Sequence, residues 1–208
     1  MKTKSLCRRH NTALSPIDAE AGRLARGLVY ALTVLDDLTA VVDRPMHIFN
    51  GQDIERWLLK TLISMYRYGA PNAASKSYRL PTYLSQLFFD LNWPVGCGLY
   101  FKTREVNSND LAMQIGPEHT AILLTSGSFI VGVTVTLLGI AFTLGVASDV
   151  AHAAALGTNF VYRPQFINFY RGQRVVCLNF AWPVEQQRTV WMSYGDSNAP
   201  TPTNPADP

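Results

Sequence analysis

Apolar residues over the first ninety positions recur at spacings of three and four. Ile17, Ala21, Leu24, Leu28, Ala31 and Leu35 form one stripe, which predicts a helix with one buried face over about residues 16–38. Ser15-Pro16-Ile17-Asp18 ahead of it reads as a helix start: a serine to cap, a proline for the first turn and an acid near the positive end of the dipole. Asp36-Asp37 opposes the dipole at the far end and favours an early stop. A second helix is expected after Asn50-Gly51, with Asn50 capping. Ile54, Trp57, Leu58, Thr61, Leu62 and Met65 share a face there, and Glu55, Arg56 and Lys60 lie largely off it. A short third helix, from Pro81 or Thr82 to Asp90, turns Leu84, Leu87 and Phe88 inward.

The period changes after Asn92-Trp93-Pro94. Residues 98–103 and 121–125 read as strands. Then Phe129, Val131, Val133, Val135 and Leu137 alternate with smaller residues, and the phase flips so that Leu138, Ile140, Phe142, Leu144 and Val146 are the large ones. Alternation with period two is the strand signature, and a slip of one residue between Leu137 and Leu138 predicts a bulge or a sheet bend. Thr120–Ala147 carries no charge, long enough for a membrane span, but the alternation favours strands. The small residues between the large ones would let another layer approach closely. Residues 166–170 and 174–182 form a hairpin about Arg171-Gly172-Gln173, and 149–159 is Ala-rich and ambiguous. Residues 195–208 hold four of the twelve prolines and read as a disordered tail. The expected fold is α+β: two long helices and a short third, then a mostly antiparallel, curved sheet of five to seven strands. The divisions are an N-terminal arm (1–14), a helical region (15–92), a β-rich region packing with it (93–194) and the tail.

Composition narrows this little. Hydrophobic residues make up 48% and charged residues 16%, against about 25% charged in average chains, so the chain can fill a core. A net charge of +3 permits contact with nucleic acid without arguing for it. Cysteines at 7, 97 and 177 make neither a disulfide framework nor a C-x-x-C pair, which favours a reduced, cytoplasmic setting. The basic N-terminus has no apolar run behind it and does not read as a signal peptide.

Candidate chemistry is sparse. Cys7-x-x-His10 has the spacing of half a zinc site. Cys97, Cys177, His47, His119 and His152 include no second close pair, so zinc is expected only if further ligands are supplied. Arg8 and Arg9, with Asn11, Arg23 and Arg26 nearby, give a basic edge suited to phosphates. Asn50, Gly51, Asp53, Glu55, Arg56 and Lys60 gather at one helix start. That pattern suits an anion site, but the expectation is a capped and solvated face with Glu55 near Arg56 and Lys60. No G-x-S-x-G element, phosphate-binding fingerprint or assembled catalytic set is present.

The Cys7-x-x-His10-Asn11 element, followed by Leu14-Ser-Pro-Ile-Asp18, resembles the closing knuckle of HNH-like, zinc-knuckle nuclease relatives in bacteria. Phe49–Lys60, Tyr162-Arg-Pro164 and Trp182-Pro183 resemble stretches of uncharacterised bacterial proteins of this kind. The resemblance implies that Cys7 and His10 are metal ligands and that an upstream C-x-x-C and a Glu-His or Asp-His hairpin complete the site. Six residues precede Cys7, so the implied hairpin is lost or encoded upstream. Function is therefore expected in this order: a non-catalytic binding or scaffolding module whose partner is another protein; the C-terminal part of an HNH-like protein acting on nucleic acid; a small membrane-associated protein using residues 120–147.

Overall fold

The first apolar stripe forms as a helix, α1 (Ser15–Asp36), and buries all six of its predicted positions. The structure is a computed structural model that describes residues 12–37, 45–66, 83–90, 93–102, 111–116, 119–126, 129–146, 160–184 and 188–194. Leu14 occupies the N-cap position and makes no side-chain cap bond, so Ser15 begins the helix instead of capping it. The chain leaves the helix at Asp37, whose N–H donates to the Thr33 carbonyl. The next element is a strand, β1 (Met46–Asn50). It runs directly into α2 (Gly51–Ser64), where Asn50 Oδ1 accepts the Asp53 N–H at 3.3 Å as expected of a cap. The third helix shrinks to one turn, α3 (Leu84–Leu87), with both leucines buried.

Among the described residues nine further strands follow: β2 (Gly98–Lys102), β3 (Leu111–Gly116), β4 (His119–Ser126), β5 (Phe129–Leu137), β6 (Ile140–Gly145), β7 (Phe160–Tyr162), β8 (Phe166–Arg171), β9 (Arg174–Ala181) and β10 (Thr189–Ser193). They do not make the single sheet expected after the helices. Six form an antiparallel sheet in the order β3-β4-β5-β6-β2-β7. The other sheet has the order β1-β9-β8-β10, with β1 parallel to β9 and β10 parallel to β8. The predicted order of helices first and strands second fails as well, because β1 lies between the two helices and its partner is β9. The class remains α+β, but the expected arrangement of helices and one sheet is corrected to a helix pair between two sheets. α1 packs on β1, β8 and β9, and α2 packs on β2, β5 and β6. One apolar cluster runs through all of them, from Phe49, Leu178 and Phe180 by way of Leu24, Leu28, Leu58 and Leu62 to Phe101, Phe142 and Val135.

The alternating segment forms strands as predicted, and among the described residues no helix is long and apolar enough to cross a membrane. The phase flip has a different cause from the one expected. Leu137 pairs with Ile140, and Leu138 and Gly139 between them have φ of 52° and 79°. Two consecutive positive φ values make a two-residue hairpin turn of the kind whose twist matches the strands. Irregular register occurs instead at Leu124/Thr125 and at Gln114/Gly116. The small face is buried too: Gly132, Thr134, Thr143 and Gly145 are all covered, and the two threonine hydroxyls hydrogen-bond at 2.8 Å. The Arg171/Arg174 hairpin is present with Gly172-Gln173 as its turn.

Candidate functional site

Residues 163–165 carry the chain from β7 of the six-stranded sheet to β8 of the four-stranded one. At this joint Arg163 has φ of 44°, a left-handed conformation for a residue other than glycine. Its Nε donates to Glu55 Oε1 at 2.8 Å and its Nη2 to Oε2 at 3.0 Å. The Leu99 N–H donates to the same Oε1 at 2.7 Å, and the Arg163 N–H donates to the Leu99 carbonyl at 2.7 Å. The guanidinium lies 5.3 Å from the Tyr162 ring centre and 5.4 Å from that of Trp182. Trp182 Nε1 donates to the Pro164 carbonyl at 3.0 Å. One ion pair thus ties α2, the start of β2, the β7–β8 joint and the end of β9 together. Two glycines leave room for it. A Cβ on Gly98 (φ +151°) would fall 2.7 Å from Glu55 Oε1, and one on Gly51 would fall 2.5 Å from the Trp182 ring.

Glu55 has no exposed surface. Burial pushes its carboxyl above the usual carboxylate range, while the Arg163 hydrogen bond and charge and the Leu99 N–H work against that rise. Burial alone would lower the Arg163 guanidinium, but the hydrogen bond and charge of Glu55 more than offset it and raise it. Nearby, burial pushes the Cys97 thiol up to about 11 and the Tyr162 hydroxyl up to about 12. Tyr162 donates to the Cys97 carbonyl at 2.9 Å and Tyr100 to the Gly96 carbonyl at 2.8 Å. A carboxylate closed to solvent with both oxygens engaged is a joint and not a general base, which must reach a substrate proton. The expected solvated face is corrected here: Glu55 belongs to the interior and pairs with Arg163. Of the rest of that polar cluster, Asn50 is exposed, Asp53, Arg56 and Lys60 are half-buried, and Gly51 is buried. Arg56 pairs with Asp53 at 3.0 Å, and Lys60 reaches across to Asp18 on α1 at 2.6 Å.

Outside the joint lies a groove of about 660 Å³. α1 supplies Glu20 and Arg23, β1 and the start of α2 supply Asn50, Gln52 and Asp53, and Trp182 follows β9. Glu20 is buried, because residue 20 falls among Ile17, Ala21 and Leu24 on the apolar stripe. Its Oε1 accepts the Asn50 N–H at 2.6 Å and its Oε2 accepts from Arg23 Nη1 at 2.7 Å. Arg23 Nη2 also donates to the Ile48 carbonyl at 2.9 Å. Two groups on the outer edge of β1 are therefore already engaged. On the side of β1 turned away from α1, Met46 is 55% and Ile48 53% exposed.

Of the residues singled out in the sequence, Cys7, Arg8, Arg9, His10 and Asn11 lie outside the described residues, as do His152 and residues 195–208. Cys97 is buried beside the joint, Cys177 is half-buried on β9 and His47 sits on β1. Among the described residues no three His, Cys, Asp or Glu side chains are grouped so as to hold a metal ion. The structure brings residues of Phe49–Lys60, Tyr162–Pro164 and Trp182-Pro183 together at the joint, a contact that the sequence reading does not predict. Sequence reasoning missed the Glu55–Arg163 pair. The available signal was angular: seven residues are nearly two helical turns, which puts Glu55 about 20° from Leu62 in the middle of the apolar stripe. No protein-family model matches the chain, and neither a curated protein nor a solved structure shows significant similarity to it.

Proposed function

We propose that the chain is a non-catalytic binding or scaffolding module whose partner is another protein, docking along β1 and the groove beside it. The observation that carries this reading is an edge strand that turns Met46 and Ile48 to solvent, each more than half exposed, next to a concavity ending at Trp182. Exposed apolar side chains grouped at the rim of a groove are a feature of interaction surfaces, and aromatic residues at the centre of such surfaces commonly dominate binding. The manner of docking follows from the edge. Arg23 and Glu20 already engage the Ile48 carbonyl and the Asn50 N–H, so β1 is a poor template for adding a strand at those positions. Recognition would then come from partner side chains entering the groove. The buried Glu55–Arg163 pair supports this by fixing the elements that form the walls.

Selection of a random-peptide display library on the immobilised full chain tests the reading. Peptides carrying large apolar residues are expected to enrich, and their affinity for Ile48→Glu should fall at least about tenfold, or about 1.4 kcal/mol. Failure to enrich any peptide, or affinity unchanged by both Ile48→Glu and Met46→Glu, would overturn it.

A further inference from the structure

Next to the groove, α1 and β1 enclose a second concavity of about 340 Å³, close to the smallest sites that hold small molecules, about 300 Å³. Arg23, Arg26 and Tyr30 line it from α1, and His47, Ile48 and Phe49 from β1. Spacings of three and four put the three helical residues on one face. Gly27, between them, is what brings the strand so close: a Cβ there would lie 2.8 Å from Phe49 Cζ.

No acidic residue lines this space, and two arginines do. Arg23 is partly committed, to Glu20 and to the Ile48 carbonyl. Arg26 is exposed and makes no hydrogen bond or ion pair among the described residues. The aromatic residues form a column. Tyr30 meets His47 edge-on at 5.1 Å, His47 stacks on Phe49 at 6.3 Å, and the Arg23 guanidinium sits 5.9 Å over the Phe49 ring. Tyr30, at the open end, is 47% exposed. Among the described residues His47 Nε2 is shielded from solvent and has no hydrogen-bond partner, an unfavourable state for a polar nitrogen. A cation unpaired among the described residues and an open aromatic face thus meet around one small space.

We propose that this concavity binds a phosphate carried on a planar ring, the chemistry of a nucleoside monophosphate. Arg26 takes the phosphate in the two-pronged geometry that a guanidinium offers. Tyr30 supplies the stacking face, and Arg23, already fixed by Glu20 and the Ile48 carbonyl, adds positive charge to the wall. This inference goes beyond the docking of a protein partner and does not depend on it.

Calorimetric titration of the full chain with adenosine monophosphate, inorganic phosphate and adenosine is the test. The monophosphate should bind at least tenfold more tightly than either of the others. Arg26→Gln should weaken that binding at least tenfold without moving the thermal midpoint, since the side chain is exposed, and Tyr30→Leu should weaken monophosphate binding while leaving phosphate binding unchanged. Equal affinity for monophosphate and inorganic phosphate, no binding of the monophosphate, or an Arg26→Gln protein that binds like wild type would overturn the proposal.

Discussion

Replacing Arg163 by methionine removes the side chain that hydrogen-bonds both oxygens of Glu55. The carboxylate would stay behind buried, with the Leu99 N–H as its remaining donor among the described residues. Removing one partner of a buried ion pair costs about 3–5 kcal/mol, because the other charge is left uncompensated, whereas replacing both partners is often nearly neutral. Lost stacking of the guanidinium on Tyr162 and Trp182 adds about 0.5–1 kcal/mol for each ring, part of which methionine restores by packing. At about 2–4 °C per kcal/mol for a chain of this length, the core cost of Arg163→Met corresponds to a fall in the thermal midpoint of ~6–20 °C. Glu55→Gln with Arg163→Met keeps an acceptor for the Leu99 N–H and removes both charges. The double variant should therefore be less destabilised than the sum of the singles by about 2 kcal/mol, within the usual range for residues in contact. Urea unfolding of the four proteins, followed by circular dichroism and extrapolated linearly, gives these free energies. A cost below about 1 kcal/mol for Arg163→Met, or effects of the two singles that simply add, would refute the claim that this pair holds the joint.

Gly98→Ala should destabilise by about 2 kcal/mol or more, since it adds a Cβ 2.7 Å from Glu55 Oε1 at a left-handed φ; urea unfolding at wild-type stability would contradict the packing described. Leu138→Asn, ahead of Gly139 in a turn with two positive φ values, should raise stability by about 0.5–1 kcal/mol, because asparagine tolerates that conformation better than leucine; a lower thermal midpoint would speak against the turn. Cys97 and Cys177 are pushed up to about 11 and Tyr162 up to about 12, so the unfolded chain gives up these protons at lower pH than the folded one does. Folded-state pKa values raised in this way stabilise fully at neutral pH and lose that contribution as pH rises from about 9 to about 12. Stability measured against pH should fall across that window, and Cys177→Ala should make its lower part shallower; a flat profile would remove the basis for the prediction.

The parts of the fold legible in the sequence are those whose pattern is local. The α1 stripe, the Asn50 cap, the β5–β6 alternation and the Gly172-Gln173 hairpin each depend on residues within a few positions of one another. β1 was not legible. Met46, Ile48 and Phe49 are apolar on both sides of the strand, one side turned to solvent and the other to α1, so alternation is blurred. Its parallel partner is distant Cys177–Ala181, and no local pattern encodes such a pairing. Missing β1 concealed the second sheet and with it the groove. The turn at Leu138-Gly139 reads in the sequence as a bulge or a sheet bend, because leucine is a poor marker for positive φ. Glu55 was placed on the polar face because of its charge, although its position on the helix lies with Leu58, Leu59 and Leu62. A buried ion pair joining residues 55 and 163 follows from tertiary packing, which spacing along the chain does not report.

The most direct test of the proposed docking surface is a chemical-shift map of the 15N-labelled chain titrated with a peptide from the display selection. Shifts concentrated at residues 46–53 and 181–183, and lost in Ile48→Glu, are the predicted result. Shifts gathered on β3 and β4 of the six-stranded sheet, with residues 46–53 unmoved, would contradict it and place recognition elsewhere on the chain.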